Sequence, residues 1–179
     1  MSKNKWHNKI RIMTASAMLT ALSIIIGIFC KSYLNFGMGL FRITFENLPI
    51  IMSGILYGPV IGGVVGIATD LISYMLSPQV YPPNLVVTFG AMMSGAVSGV
   101  VARYIVRKKG NTQIILSGTL AHVISSMIIK TAGLYQYYSI AVFWRIPLYA
   151  VIAPVEIFII CLLLRRKSFA RIVGYDGDK

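Results

Sequence analysis

The sequence predicts an all-α integral membrane protein of six transmembrane helices, with a short second helix and an extended segment before it. Of its 179 residues, 56% are hydrophobic and only 12% are charged, and the mean hydropathy is +0.74. This composition is typical of a membrane protein and excludes an ordinary soluble domain. The chain has room for about six spans of some 20 residues. We expect a single membrane domain over residues 1–179, with spans near 10–30, 47–58, 59–77, 84–106, 112–134 and 139–164.

Basic residues are the second observation, because they cluster at alternate ends of the predicted spans. Thirteen of the 17 lysine and arginine residues lie on one side of a six-span bundle: Lys3, Lys5, Lys9, Arg11, Arg103, Arg107, Lys108, Lys109, Arg165, Arg166, Lys167, Arg171 and Lys179. The positive-inside rule makes that side cytoplasmic, with both termini, in a multi-pass protein of the cell membrane. The net charge of +12 is then a topology signal with some attraction to anionic membrane lipid, and does not indicate nucleic acid.

The short second helix is the third observation. Residues 41–46 alternate between polar and apolar side chains, as an extended segment does. Asn47 is then expected to cap a helix that has Pro49 in its first turn and ends before Gly58 and Pro59. At about 1.5 Å per residue this helix covers roughly 18 Å, less than the hydrocarbon core of about 30 Å. The extended segment therefore has to lie below the membrane surface, where it is expected to line a cavity.

Charged residues at such a depth are expected to contact a ligand. The span model places four basic residues near the outer mouth of the bundle, namely Lys31, Arg42, Lys130 and Arg145, and two acidic residues, Glu46 and Asp70. The excess of positive charge favours an anionic ligand, because arginine can bind a carboxylate through paired hydrogen bonds.

Other polar and aromatic residues are candidates for supporting roles at the same end. Asp70 either contacts the ligand or hydrogen-bonds to a neighbouring helix, and Asn84 is expected to cap the fourth helix. Tyr74 and Trp144 either stack on a flat ring or belong to an interfacial aromatic belt.

The fifth and sixth helices are each expected to turn a polar face inward. Residues four apart form one stripe of the fifth helix: His122, Ser126 and Lys130. Three residues of the sixth helix lie within roughly 40° of one another on a helical wheel: Arg145, Tyr149 and Glu156. Both faces should be buried in the bundle, because an unpaired charge facing lipid costs several kcal/mol.

The stretch from Leu48 to Asp70 resembles a known family. Leu48-Pro49 at a helix start, Gly58-Pro59 at a turn and a glycine-striped helix running to Asp70 are similar to the substrate-binding (S) components of energy-coupling factor (ECF) vitamin transporters. Within that family, the segments RITFENLP, GILYGP and ATDLISY most resemble the folate-specific components. In the first helix, Ala17 and Ala21 match the Ala-x-x-x-Ala motif by which such components dock on a shared transmembrane partner.

This resemblance implies a non-enzymatic subunit that binds folate, or a related anionic vitamin, at the outer face and needs no cofactor. It also implies partners, namely one transmembrane coupling subunit and two ATPase subunits. The sequence agrees in that it has no G-x-x-x-x-G-K-[ST] pattern with which to use ATP by itself. No metal site is expected, because the acidic residues are too far apart in the sequence.

Other functions stay open at this point. The chain could be an S component for another anionic aromatic vitamin. An intramembrane hydrolase would need an activated serine, for which His122 with Ser94 or Ser98 is the available pairing. A self-contained carrier would usually show an inverted repeat, and none is evident. A structural membrane subunit is the remaining possibility.

Overall fold

The computed structural model describes residues 2–36, 41–76, 84–106, 110–166, 169–170 and 173, and these residues are almost entirely helical. The helices are α1 (Ser2–Tyr33), α2 (Asn47–Tyr57), α3 (Pro59–Leu76), α4 (Leu85–Val100), α5 (Asn111–Ala121), α6 (Lys130–Tyr138) and α7 (Arg145–Arg165). A π-helical turn, Val101–Ile105, extends α4, and a π-helical segment, His122–Ile129, joins α5 to α6. A 3₁₀ helix, Ser139–Trp144, leads into α7. Two short antiparallel strands, β1 (Asn35–Phe36) and β2 (Phe41–Arg42), separate α1 from α2.

Five helical stretches in the described part of the chain are long and apolar enough to cross a membrane: Lys9–Tyr33, Pro59–Leu76, Leu85–Ile105, Asn111–Tyr137 and Ser139–Arg165. The remaining helix, α2, which is the second along the chain, has only 11 residues and is preceded by the extended β2. The predicted fold class is therefore confirmed. We call the end of the bundle where α1 stops and α2 starts the upper end, and the end that carries Gly58 and Gly110 the lower end.

The outer surface of the bundle is apolar. Large hydrophobic side chains that are more than half exposed include Met13, Val60, Met75, Leu85 and Phe158. A soluble monomer rarely leaves so much contiguous apolar surface uncovered. These side chains are accordingly placed to face lipid.

Glycines spaced four residues apart bring α3 and α4 into backbone contact. A Cβ atom added at Gly62 would lie 2.5 Å from the Gly95 carbonyl oxygen, and one added at Gly66 would lie 2.7 Å from the Ala91 carbonyl carbon. A Cβ at Gly99 would meet the backbone of Pro59 at 2.6 Å. No other residue fits at these positions without moving the helices apart.

The short helix α2 forms the centre of the core. Ile50, Ile51 and Met52 are almost completely buried. The Ser98 hydroxyl of α4 donates a hydrogen bond to the Ile51 carbonyl oxygen at 3.2 Å. The turn after α2 requires Gly58, whose φ of +97° lies in the region that favours glycine.

Some helix boundaries differ from the sequence-based expectation. α1 begins at Ser2 instead of near residue 10, because the polar N-terminal residues continue the helix beyond the apolar stretch. The fifth span continues to Tyr138 instead of 134. In the predicted span 139–164, Ser139 has a φ of +48°, residues 139–144 form a 3₁₀ helix, and the α-helix itself starts at Arg145. Pro147 then lies in the first turn, where its missing N–H costs little.

Candidate ligand-binding site

Lys130 is the central residue of a polar cluster near the upper end. Its side chain is only about 6% exposed, and its ammonium Nζ donates a hydrogen bond to the Asn47 Oδ1 atom at 2.8 Å. The Oε1 atom of the Glu46 carboxylate lies 3.9 Å from the same Nζ atom. Asn47 also donates from Nδ2 to the Ser126 hydroxyl at 3.4 Å. The helix start of α2 and the middle of the fifth span therefore meet through polar side chains.

The position of Asn47 differs from the predicted one. Glu46 occupies the N-cap position of α2, and Asn47 is the first helical residue. The Asn47 amide is therefore directed across the bundle to Lys130 and Ser126 instead of capping its own helix. Sequence reasoning missed this role because asparagine before a helix is usually a cap.

Glycine makes room for the Lys130 side chain. A Cβ atom added at Gly90 of α4 would lie 2.7 Å from the Lys130 Cγ atom. The lysine stem thus passes over α4 at the point where that helix has no side chain. One turn below Lys130 on the same stripe lies Ser126, and two turns below lies His122, and all three residues are buried, as the four-residue spacing predicts.

Glu46 lies against α1. A Cβ atom added at Gly27 would lie 3.0 Å from Glu46 Oε2 and 3.5 Å from the Ser73 hydroxyl of α3. The Ser23 hydroxyl donates a hydrogen bond of 2.5 Å to the Glu46 carbonyl oxygen. The buried Ser73 hydroxyl has no hydrogen-bond partner among the described residues, so it is available to a ligand. The roles of Ser23 and Gly27 had no signal in the sequence.

Arg145 is buried at the start of α7, with about 6% of its surface exposed. Its Nη2 atom donates a hydrogen bond to the Tyr149 hydroxyl at 3.2 Å, and the guanidinium carbon lies 5.7 Å from the centre of the Tyr149 ring. The predicted inward face of the sixth helix is present, since Arg145, Tyr149 and Glu156 are all buried. A buried guanidinium supported by an aromatic ring is suited to hold a carboxylate.

Asp70 and Asn84 connect helices at the upper end. The Asp70 carboxylate accepts a hydrogen bond of 2.7 Å from the Thr88 hydroxyl of α4, so it has the interhelical contact that was one of the two expectations. Asn84 caps α4 as expected, because its Oδ1 accepts from the Val86 N–H at 2.9 Å. Its Nδ2 atom also donates to the Gly133 carbonyl oxygen of α6 at 2.5 Å. Both residues thus brace α3, α4 and α6 around the cluster.

Two predicted site residues are not brought into this cluster, and the side chain of a third is not among those described. Trp144 is 65% exposed at the end of the 3₁₀ helix. Tyr74 is half-buried on α3, one turn above Asp70. Arg42 is the second residue of β2, where its backbone pairs with Asn35, and its side chain lies outside the described residues.

A second buried pair lies deeper in the bundle. His122 Nε2 and Glu156 Oε2 are 2.7 Å apart, and both side chains are essentially inaccessible. Each residue was predicted to face inward, but their pairing across two helices was not, because the sequence does not give the relative height of two spans. Neither predicted hydrolase serine bonds to this histidine: the Ser94 hydroxyl bonds to Gly90 and Ser125, and the Ser98 hydroxyl to Ile51 and Gly95.

The buried polar side chains of the bundle interior supply three kinds of group. Lys130 and Arg145 offer positive charge, Asn47 offers an amide, and Glu46 offers a carboxylate. Such an interior binds a ligand through directed hydrogen bonds and charge and excludes lipid. These features define a membrane-embedded helical binding protein.

A comparison with protein families shows the family of the chain. The model described as "ECF transporter, substrate-specific component" matches residues 11–174. The chain belongs to this family of transport subunits.

Individual relatives point to the same family. The chain is 29% identical over 93 residues to the folate transporter FolT of Clostridium novyi (strain NT). This match covers 51% of the chain and 51% of that protein, so the chain aligns with about half the length of this curated relative.

Two solved structures share the fold. One is the crystal structure of FolT bound with folic acid, with a TM-score of 0.67 and 20% identity, over 87% of this chain and 92% of that one. The other is an S component of a bacterial ECF transporter, with a TM-score of 0.62 and 20% identity, over 89% of this chain and 96% of that one.

Proposed function

We propose that the chain is the folate-binding subunit of an ECF-type, ATP-driven vitamin importer. The observation that carries the proposal is the buried ammonium of Lys130, which is held by a neutral amide at 2.8 Å while the carboxylate of Glu46 is 3.9 Å away. A buried positive charge held mainly by a neutral group attracts an anionic ligand. The curated relative named as a folate transporter supports folate as that ligand.

The chemistry of folate suits the charged and polar groups of the site. A folate has a flat pterin with amide-like donors and acceptors and a glutamate tail with carboxylates. Lys130, Asn47 and Glu46 lie together and can hold polar groups at one part of the ligand, and Arg145 can bind a carboxylate. Arg42, Asp70, Tyr74, Asn84 and Trp144 remain proposed contacts or supports of the same ligand. Another anionic aromatic vitamin would meet the same charge requirement.

We infer that the upper end faces outward and that both termini are cytoplasmic. The supporting observation is the distribution of basic residues along the sequence, because the six-span assignment puts 13 of 17 on the side to which the lower end belongs. Folate would then enter from outside and leave inward.

Release is proposed to require one transmembrane coupling subunit and two ATPase subunits, because the chain has no Walker A motif. Ala17 and Ala21 on α1 are exposed in the structure, which leaves this face free for a partner helix. We accordingly propose a binding and docking subunit, and not an enzyme.

The direct test is a titration of the purified protein in detergent with folic acid, riboflavin, thiamine and biotin. Isothermal calorimetry measures binding without depending on the two tryptophans, Trp6 and Trp144, of which both are exposed. We expect tight binding of folic acid and none of cationic thiamine. Tight binding of riboflavin or biotin, with none of folic acid, would exclude the assignment.

A further inference from the structure

A groove runs along the side of the bundle between α5 with its π-helical extension and α7. Its volume is about 600 Å³, within the range of roughly 300–1,000 Å³ of sites that bind small organic molecules. Most of its lining is apolar, and it includes Ile115, Val123, Met127, Ile157 and Phe158. The exposure of Ile115, Val123 and Phe158 shows that the groove opens sideways onto the lipid-facing surface.

The lower end of this α5–α7 groove is polar and basic. Arg165, exposed in the last turn of α7, and Asn111, the first residue of α5, both line it. Gly110 precedes α5 and has no side chain with which to cap the first N–H groups of that helix. An anion at this point would meet a guanidinium and the positive end of a helix dipole together.

The length of the groove suits a lipid chain. From Asn111 to Met127 the lining extends over seventeen residues, and the sixteen steps between them cover about 24 Å at 1.5 Å per residue. One leaflet contributes about half of a hydrocarbon core of about 30 Å. An acyl chain whose head group lies at the lower end therefore fits along the lower part of the groove, within its own leaflet.

We propose that the α5–α7 groove binds an anionic phospholipid. The phosphate lies between Arg165 and the N-terminus of α5, and one acyl chain follows the apolar lining upward. This site differs from the Lys130 cluster, because Lys130 and Asn47 do not line the groove, whereas His122, two turns below Lys130, does. It does not depend on which vitamin the protein carries.

Native mass spectrometry of the delipidated protein tests the proposal, with phosphatidylglycerol or phosphatidylcholine added in increasing amounts. Arg165→Gln removes the charge that holds the phosphate and should weaken phosphatidylglycerol binding about fivefold, since a single basic residue near the surface contributes on that scale. Thr119→Phe fills the middle of the groove and should reduce the binding of both lipids. Both residues are exposed, so neither change disturbs the core.

Matched controls separate the groove from general effects. Lys9→Gln removes an exposed charge from α1, and Leu120→Phe places the same ring on the neighbouring residue outside the groove. Both controls should retain lipid as the wild type does. The proposal is overturned if the wild type does not prefer phosphatidylglycerol, or if either Arg165→Gln or Thr119→Phe leaves binding unchanged. The wild type could instead form a dimer without bound lipid that Thr119→Phe dissociates. That result would assign the groove to a second copy of the chain and would also overturn the lipid proposal.

Discussion

At Lys130, the group that holds the buried ammonium at hydrogen-bond distance is neutral, which suits the proposed anionic ligand. An amide oxygen satisfies one N–H of the ammonium at 2.8 Å but does not cancel its charge, and the Glu46 carboxylate at 3.9 Å is beyond hydrogen-bond distance. Burial makes every remaining electrostatic interaction of that charge stronger than it would be in water. An arriving carboxylate could therefore approach the ammonium more closely than Glu46 does.

The basic residues of the site should determine the affinity for folate. Substituting Lys130, Arg145 or Arg42 by alanine removes a charge-assisted hydrogen bond to the ligand, at a cost of roughly 2 to 3 kcal/mol. The affinity should therefore fall about thirty- to hundredfold, measured by calorimetry. Lys9→Ala, at an exposed position of α1, is the control and should bind normally. If all three site variants bind folate as the wild type does, the ligand lies elsewhere.

Asn47 offers a more specific test of the same argument. Asn47→Asp keeps the shape of the side chain but places a carboxylate where the amide oxygen now lies 2.8 Å from the ammonium of Lys130. The new charge would neutralise the lysine, and folate affinity should drop roughly tenfold, or about 1.4 kcal/mol. Asn111→Asp adds the same charge at the lower end and should have no effect. An unchanged or higher affinity of Asn47→Asp would show that Lys130 does not attract the ligand.

At the scale of helices, the sequence predicts most of what local patterns determine. Apolar length predicted the spans, and Gly58 with Pro59 predicted the end of α2, whereas the glycine stripe indicated close helix packing without identifying α4 as the partner of α3. The 3₁₀ helix at residues 139–144 was not predicted, because it depends on a single left-handed residue, Ser139, for which serine is no signal.

The candidate site was predictable only in part, because some of its contacts join helices that are far apart in the sequence. The inward faces of the fifth and sixth helices follow from periodicity. The partners Asn47 with Lys130 and His122 with Glu156 depend on the relative heights of helices far apart in sequence. Packing between helices sets those heights, and no local pattern in the chain records them.

The contact between α3 and α4 yields a prediction about stability. In Gly95→Ala the new methyl group would overlap the Gly62 carbonyl and lie 2.9 Å from the Gly62 Cα, so the helices must separate. Such overpacking costs about 1 to 3 kcal/mol and should lower the thermal unfolding midpoint in detergent. Gly63→Ala is the matched control, because its nearest neighbour is a flexible Met92 side chain at 3.4 Å. Equal midpoints for the two variants would contradict the close contact.

At the scale of the whole molecule, α1 has one stripe of residues that is buried in the bundle and another that is exposed. One stripe of α1 is buried in the bundle and consists of Ala15, Leu19, Ser23, Gly27 and Cys30. A second stripe, two residues out of step and so on nearly the opposite face, is exposed and consists of Met13, Ala17, Ala21, Ile25 and Phe29. The buried stripe holds Glu46 through Ser23 and Gly27. Ala17 and Ala21 are exposed and therefore do not pack inside the bundle.

Substitutions of the exposed small residues of α1 should therefore distinguish partner docking from ligand binding in a single experiment. Tryptophan at Ala17 or Ala21 would hold a partner helix away, because only small side chains allow close approach. Folate binding by the isolated protein should stay close to normal, since both positions face away from the site, while folate uptake with the coupling and ATPase subunits should be lost. Val151→Trp, on the exposed face of α7, should leave both activities intact. If uptake survives Ala17→Trp and Ala21→Trp, or if folate binding collapses with it, the coupling subunit docks on another helix.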